Sequence, residues 1–281
     1  MTGSPSSGRT PPRRTRRCPH DRPWPGGCPS AISVHVGFFG QWLHQVEYLA
    51  EHNLLGPDVT LPHCNATTDH EYELIRRSWA HISLSPESEM HLGCGIPPTG
   101  RALRHGLRPS ISTDVPSVMG TDMFGQMRSM LCVMRGVQSE AYLAAAGGGR
   151  DVLPEHEIRI TSHDVLEFAT IEGARQTGLD ARTGSITPGK QADVIVVSTD
   201  APALQRMINP AAALVLGANP GDVEYVFVAG RAVKRAGRLV GYDLADIRRR
   251  AEESATRLLS DAGVDSKNFL VGVQEHLGAS T

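Results

Sequence analysis

His35, His63 and Asp114 each close a short apolar run, in SVHVG, VTLPHCN and RPSISTD, and a fourth run, HISLSPESEM, lies between the last two. Two imidazoles and a carboxylate are side chains that move protons at ordinary pH. A buried strand end gains nothing from charge, so three such groups at strand ends are hard to explain as packing. Apolar runs that finish in an ionisable residue are the pattern of buried parallel strands whose C-terminal ends face a site. In a (β/α)8 barrel the catalytic groups sit at those ends.

The elements that must position these groups alternate. Ile32 to Val36 reads as a strand, and Trp42, Leu43, Val46 and Leu49 recur at near-helical spacing until Gly56-Pro57 stops them. Val59 to Pro62 is the next strand. Thr67 or Thr68 caps a helix with Tyr72, Leu74 and Ile75 on its inner face. Ile82 to Leu84 is a third strand, and the Gly- and Pro-rich MHLGCGIPPTG follows as a loop. A helix through Leu103 leads to a fourth strand, Pro109 to Ser112. Such alternation predicts βαβ units and a parallel sheet. Met123, Phe124, Met127, Met130, Leu131 and Met134 then mark one face of a long helix, read as core rather than as a metal box. After AAAGGGRD, Ser162 is expected to cap one helix from His163 to Thr177, ended by Gly178.

Beyond Gly178 the period changes to two. GSITPGKQADVIVVSTD holds a Pro-Gly turn and the strand Val194 to Val197. Further strands are expected at Val223 to Ala229, Ala232 to Arg235 and Leu239-Val240, with a turn at Gly230-Arg231. A terminal helix runs from Leu244 to Leu259, with Arg248, Arg249 and Arg250 on a solvated face.

The chain has 281 residues, 40% hydrophobic and 21% charged, which suits a globular protein with a core. A net charge of −2 gives no field to gather nucleic acid or an anionic membrane, and no apolar run is long enough to span a bilayer. Five scattered cysteines (18, 28, 64, 94 and 132) point to free thiols in a reducing cytoplasm. Residues 1–30 are rich in Pro, Gly, Ser and Arg and read as a disordered tail. Within it, Arg13, Arg14, Arg16 and Arg17 read as solvated, and Cys18, His20 and Cys28 fit no standard zinc spacing. The expected organisation is a tail at 1–30, a partial barrel at 31–177, a β-sandwich portion with a terminal helix at 178–262, and a tail at 263–281.

From Ala31 to Leu259 the chain resembles the amidohydrolase superfamily, in its branch of aromatic-base, S-adenosylhomocysteine/methylthioadenosine deaminases and triazine hydrolases. HCN at 63–65, STD at 112–114, LGCGIPPTG at 92–100 and RTGSITPGKQADVIVV at 182–197 carry the resemblance. The separations of His35, His63 and Asp114 are close to those between that branch's fifth, sixth and eighth strands. The resemblance implies an α/β chain holding strands five to eight of a (β/α)8 barrel, followed by a small β-sandwich portion and a terminal helix. It implies hydrolysis of a non-peptide C–N bond of a small molecule, of deaminase type. His35 would ligate a divalent metal, zinc or iron. Asp114 would bind that metal and take the water's proton, and His63 would polarise the substrate or the attacking water. Such an ion brings its water's pKa toward about 7. Cys64, beside His63, reads as a small core residue.

The departures set further expectations. The family's strand-one His-x-His pair has no counterpart here, so the metal is expected to be weakly held. The deaminase branch's glutamate, three residues after the strand-five histidine, is Phe38, and the strand-seven histidine is replaced within SLSPE. A whole barrel takes ~250 residues, and 31–177 offers four strand–helix units. The expected protein is therefore a truncated form. The alternatives are an inactive remnant or a half-barrel that pairs with a partner chain, with self-association through the open sheet.

Overall fold

The structure, a computed structural model, describes residues 31–38, 43–117, 119–145, 160–205 and 208–264. The expected tail at 1–30 with its arginines and its Cys18, His20 and Cys28, the residue Trp42, most of the AAAGGGRD break, and nearly all of the tail at 263–281 lie outside the described residues.

Four short strands form one parallel sheet in sequence order: β1 (Ile32–Ser33), β2 (Val59–Pro62), β3 (His81–Leu84) and β4 (Ser110–Ile111). The first strand is shorter than its apolar run, and pairing resumes as a single parallel bridge between Val36 and His63. Val59, Leu61, Ile82, Leu84 and Ile111 are buried, as strands covered on both faces require. Helices α1 (Gln45–Glu51) and α2 (Asp69–Ser78) follow β1 and β2. Two short helices, α3 (Pro86–His91) and α4 (Thr99–Arg104), lie between β3 and β4.

Thr68 is the cap of α2. Its hydroxyl accepts from the Glu71 backbone N–H at 3.2 Å, and the Glu71 carboxylate accepts the Thr68 N–H at 2.9 Å. The second oxygen of Glu71 accepts the Val46 N–H at 3.0 Å, so one buried carboxylate ties α1 to α2. Tyr72 and Ile75 pack inward from α2. The Tyr72 hydroxyl donates to the Cys64 carbonyl at 3.0 Å, which fastens the turn that carries His63.

Helix α5 (Met123–Ala145) buries Phe124, Met127, Met130, Leu131 and Met134, so the methionine stripe is core. The single helix expected over 163–177 is two, α6 (Ser162–Phe168) and α7 (Ile171–Gln176). The cap is Thr161 rather than Ser162, in a reciprocal pair with Asp164. The break falls at Ala169-Thr170, where the Thr170 hydroxyl donates back to the Leu166 carbonyl at 2.6 Å. The turn aims α7 at the parallel sheet, where Thr60 donates to the Gln176 carbonyl at 3.4 Å and Ser110 bonds the Gln176 side chain.

An antiparallel sheet follows in the order β5 (Val194–Val197), β6 (Val223–Val228), β7 (Arg231–Arg235), β8 (Arg238–Leu239). The β6–β7 turn centres on Ala229-Gly230, one residue before the expected position. Both residues have positive φ, as a type I′ hairpin turn needs. Helix α8 (Pro210–Gly217) was not expected and packs on α5 and α6. Its sequence, PAAALVLG, is apolar throughout and offers no period to read. The terminal helix is α9 (Leu244–Asp261). No helix among the described residues is long and apolar enough to cross a membrane.

Gly184 lies close against α7. Its φ is +84°, and a Cβ there would lie 2.6 Å from the Ala174 Cβ and 3.1 Å from the Ile171 Cα. Gly184→Ala is therefore expected to destabilise the chain by about 1–3 kcal/mol, since strained backbone and overpacking act together. A lower urea midpoint with unchanged slope is the check.

Candidate active site

His63 follows β2 directly, and its backbone N–H donates to the Ser83 carbonyl at 2.8 Å, extending the pairing by one residue. The chain then turns at once. His63 and Cys64 have φ of 73° and 56°, and Asp114, after β4, has φ of 55°. Left-handed non-glycine backbone costs on the order of 1–3 kcal/mol per residue and clusters where function over-determines it. Two of the three residues expected from sequence to do chemistry thus sit on strained strand ends. Gly37 also has positive φ and gives its N–H to the Gln45 side chain, while its carbonyl accepts from Ala66. The loops carrying His35 and His63 are stitched together in this way.

The His63 ring is 2% exposed. It lies against the Phe38 ring at a centroid distance of 4.2 Å and the His35 ring at 5.1 Å. Its Nδ1 is 3.2 Å from Oε1 of Glu89, a carboxylate with no exposed surface. The same Oε1 accepts the Ser85 backbone N–H at 2.8 Å, and Oε2 has no hydrogen-bond partner among the described residues. One residue earlier on α3, the buried Ser88 hydroxyl donates to Oδ2 of Asp114 at 2.6 Å. The Asp114 N–H in turn donates to the Ser112 hydroxyl at 3.0 Å. Consecutive residues of one short helix therefore hold the two groups: Ser88 holds Asp114, and Glu89 holds His63.

Sequence reasoning missed Ser88 and Glu89. The usable signal was a helix start: Ser85, then Pro86 at the first helical position, then Glu87 and Glu89 in the first turn. Burial pushes the Cys64 thiol strongly up, which suits a core residue and not a nucleophile or ligand. Burial, with the charges of Glu89 and Asp114 nearby, also pushes the Cys94 thiol up.

His35 is exposed, and its ring stands beside that of His63 rather than in a ligand cluster. Among the described residues, no group of three or more His, Cys, Asp or Glu comes together to hold a metal ion. A catalytic zinc takes three protein ligands and a water. The described residues alone do not fit such an ion.

Residues 29–233 match the amidohydrolase family, and the chain belongs to that family. Its relatives include the 5′-deoxyadenosine deaminase of Methanothermobacter thermautotrophicus, 32% identical over 214 residues, which cover 76% of this chain and 46% of the relative. The 5-methylthioadenosine/S-adenosylhomocysteine deaminase of Syntrophobacter fumaroxidans is 30% identical over 206 residues, 73% of this chain and 43% of the relative. The fold is that of an adenosine deaminase from Xanthomonas campestris solved with bound zinc, with a TM-score of 0.72, 23% identity, and cover of 82% of this chain and 51% of that one. Atrazine chlorohydrolase TrzN from Arthrobacter aurescens, solved with zinc, gives a TM-score of 0.65 at 17% identity, with cover of 80% and 48%. The chain spans about half the length of the curated relatives it matches.

Proposed function

We propose that this chain carries the proton-handling side of a hydrolytic deaminase, acting on the exocyclic C–N bond of a small adenosine-like nucleoside. The observation that carries the reading is the clamp made by Ser88 and Glu89 on Asp114 and His63. The relatives' names support the substrate class. Water adds to the ring carbon and the amine leaves as ammonia. Asp114 takes a proton from the attacking water and returns one to the departing amine. His63 stabilises the charge that develops as the C–O bond forms. Proton transfer by placed groups of this kind contributes about 10²–10⁴-fold.

In this reading the parallel sheet, within 31–177, is strands five to eight of a (β/α)8 barrel, and the antiparallel sheet, within 178–262, is part of the accompanying β-sandwich. A divalent ion, zinc or iron, would supply the Lewis acid of the reaction. His35 and Asp114 would be two of its protein ligands, and the others would come from outside the described residues. A second reading is favoured by that shortfall: a further polypeptide, or a second copy, completes the site, and this chain alone does not turn over. Metal analysis separates the two. Chain purified without tags or chelators and passed through gel filtration is expected to retain no stoichiometric metal. One tightly held ion per chain in a monomeric peak would show that residues 1–30 or other undescribed positions complete the site.

A further inference from the structure

We propose that Glu89 is a positioning residue for His63: it keeps a proton on Nδ1 and so turns a bare or protonated Nε2 toward the site. The inference rests on the proposed role of His63, and it concerns a residue that the resemblance does not point to. The glutamate of the deaminase branch is absent here, where Phe38 stands instead and lays its ring on His63. Glu89 is a carboxylate that reaches this imidazole from another element, at Nδ1.

Three observations fix the direction of the bond. Oε1 of Glu89 already accepts the Ser85 N–H at 2.8 Å, which commits that oxygen to the acceptor role. Nδ1 of His63 lies 3.2 Å from the same oxygen. An unprotonated Nδ1 would set two lone pairs against each other, with both side chains shut off from water. Unpaired polar groups in so dry a place are costly, so the nitrogen donates. Which nitrogen of a histidine carries the proton is set by the bond the other one makes. In free histidine the neutral ring places its proton mainly on Nε2, and Glu89 reverses that preference. The Ser-His-Asp triads use a buried carboxylate in the same way, to hold the imidazole's tautomer and orientation. Because Ser88 holds Asp114, α3 sets the attitude of both proton-handling groups at once.

The test reads the proton directly and needs no turnover, so it stands or falls apart from the deaminase reading. Chain labelled with ¹⁵N-histidine is observed by long-range ¹H–¹⁵N correlation at a pH where ordinary imidazoles are neutral. Loss of one set of signals in His63→Gln assigns the ring. The wild type is expected to show Nδ1 protonated. Glu89→Leu, with unchanged circular dichroism, is expected to show Nδ1 bare and the proton on Nε2. Should Glu89→Leu not fold, Glu89→Gln keeps the acceptor oxygen and loses the charge; its Nδ1 proton is expected to remain and to exchange faster with water. A bare Nδ1 in the wild type, or a variant ring indistinguishable from the wild type, would overturn the proposal.

Discussion

His63→Ala is expected to lower ammonia release by about 10²–10⁴-fold in any preparation in which the site is complete, and Asp114→Asn to do the same. In the proposed reaction the two substitutions remove different parts of one step. Without His63, the charge on the forming C–O bond loses its partner at a point where solvent is excluded. Without the carboxylate of Asp114, the attacking water has no acceptor and the amine leaves without a proton. For Asp114→Asn the loss is not expected to come from unfolding. Asp114 is half-buried at a strand end, and asparagine keeps its shape and can still accept from Ser88. Matching melting curves beside lost turnover are the check. The neighbouring Cys64 supplies a control: its thiol is fully buried and pushed up by that burial, so Cys64→Ala should leave chemistry alone and affect stability only.

Tyr72→Ala is expected to cost about 3–5 kcal/mol of stability, the range for deleting a large buried ring. The ring is wholly buried between α2 and the sheet and stacks on His105 at a centroid distance of 5.4 Å. Its hydroxyl is the anchor of the left-handed turn at His63-Cys64, through the Cys64 carbonyl. The alanine variant thus opens a cavity and orphans a buried acceptor. Tyr72→Phe isolates the second effect, expected at about 1–3 kcal/mol. Urea denaturation of the three proteins measures both. A Tyr72→Phe variant as stable as the wild type would mean that the hydroxyl does not hold the turn.

The strand ends were legible because a buried parallel strand writes its limits as an apolar run closed by a polar residue. Val59–Pro62 and Val194–Val197 fall where the sequence places them; His63 follows its strand directly, and Asp114 comes three residues after a strand, Ser110–Ile111, shorter than the run that announces it. Local rules also narrowed the α2 cap to Thr67 or Thr68 and placed the stop at Gly178, since both are settled within a few residues. What stayed hidden depends on contacts across the chain. Glu89 meets His63 from 26 residues away, and Ser88 meets Asp114 from the same separation in the other direction. No spacing rule encodes such pairs. The loop-like sequence around α3 masked a helix of six residues. The break between α6 and α7 follows from one threonine's bond to a carbonyl, which hydrophobic periodicity does not see. His35, exposed beside the His63 ring, does not meet among the described residues the further ligands that its expected role needs.

In the proposed function, His63 and Asp114 are the proton-handling side of a deaminase site that the described residues do not complete. Ammonia release from 5′-deoxyadenosine and 5-methylthioadenosine, with zinc present, tests it most directly. The assay compares the chain alone with the chain mixed with the half of the Methanothermobacter deaminase that it does not match. The expected result is no release by the chain alone, release by the mixture, and loss of that release when the chain carries His63→Ala or Asp114→Asn. Turnover by the chain alone, or a mixture equally active with either substitution, would contradict the account.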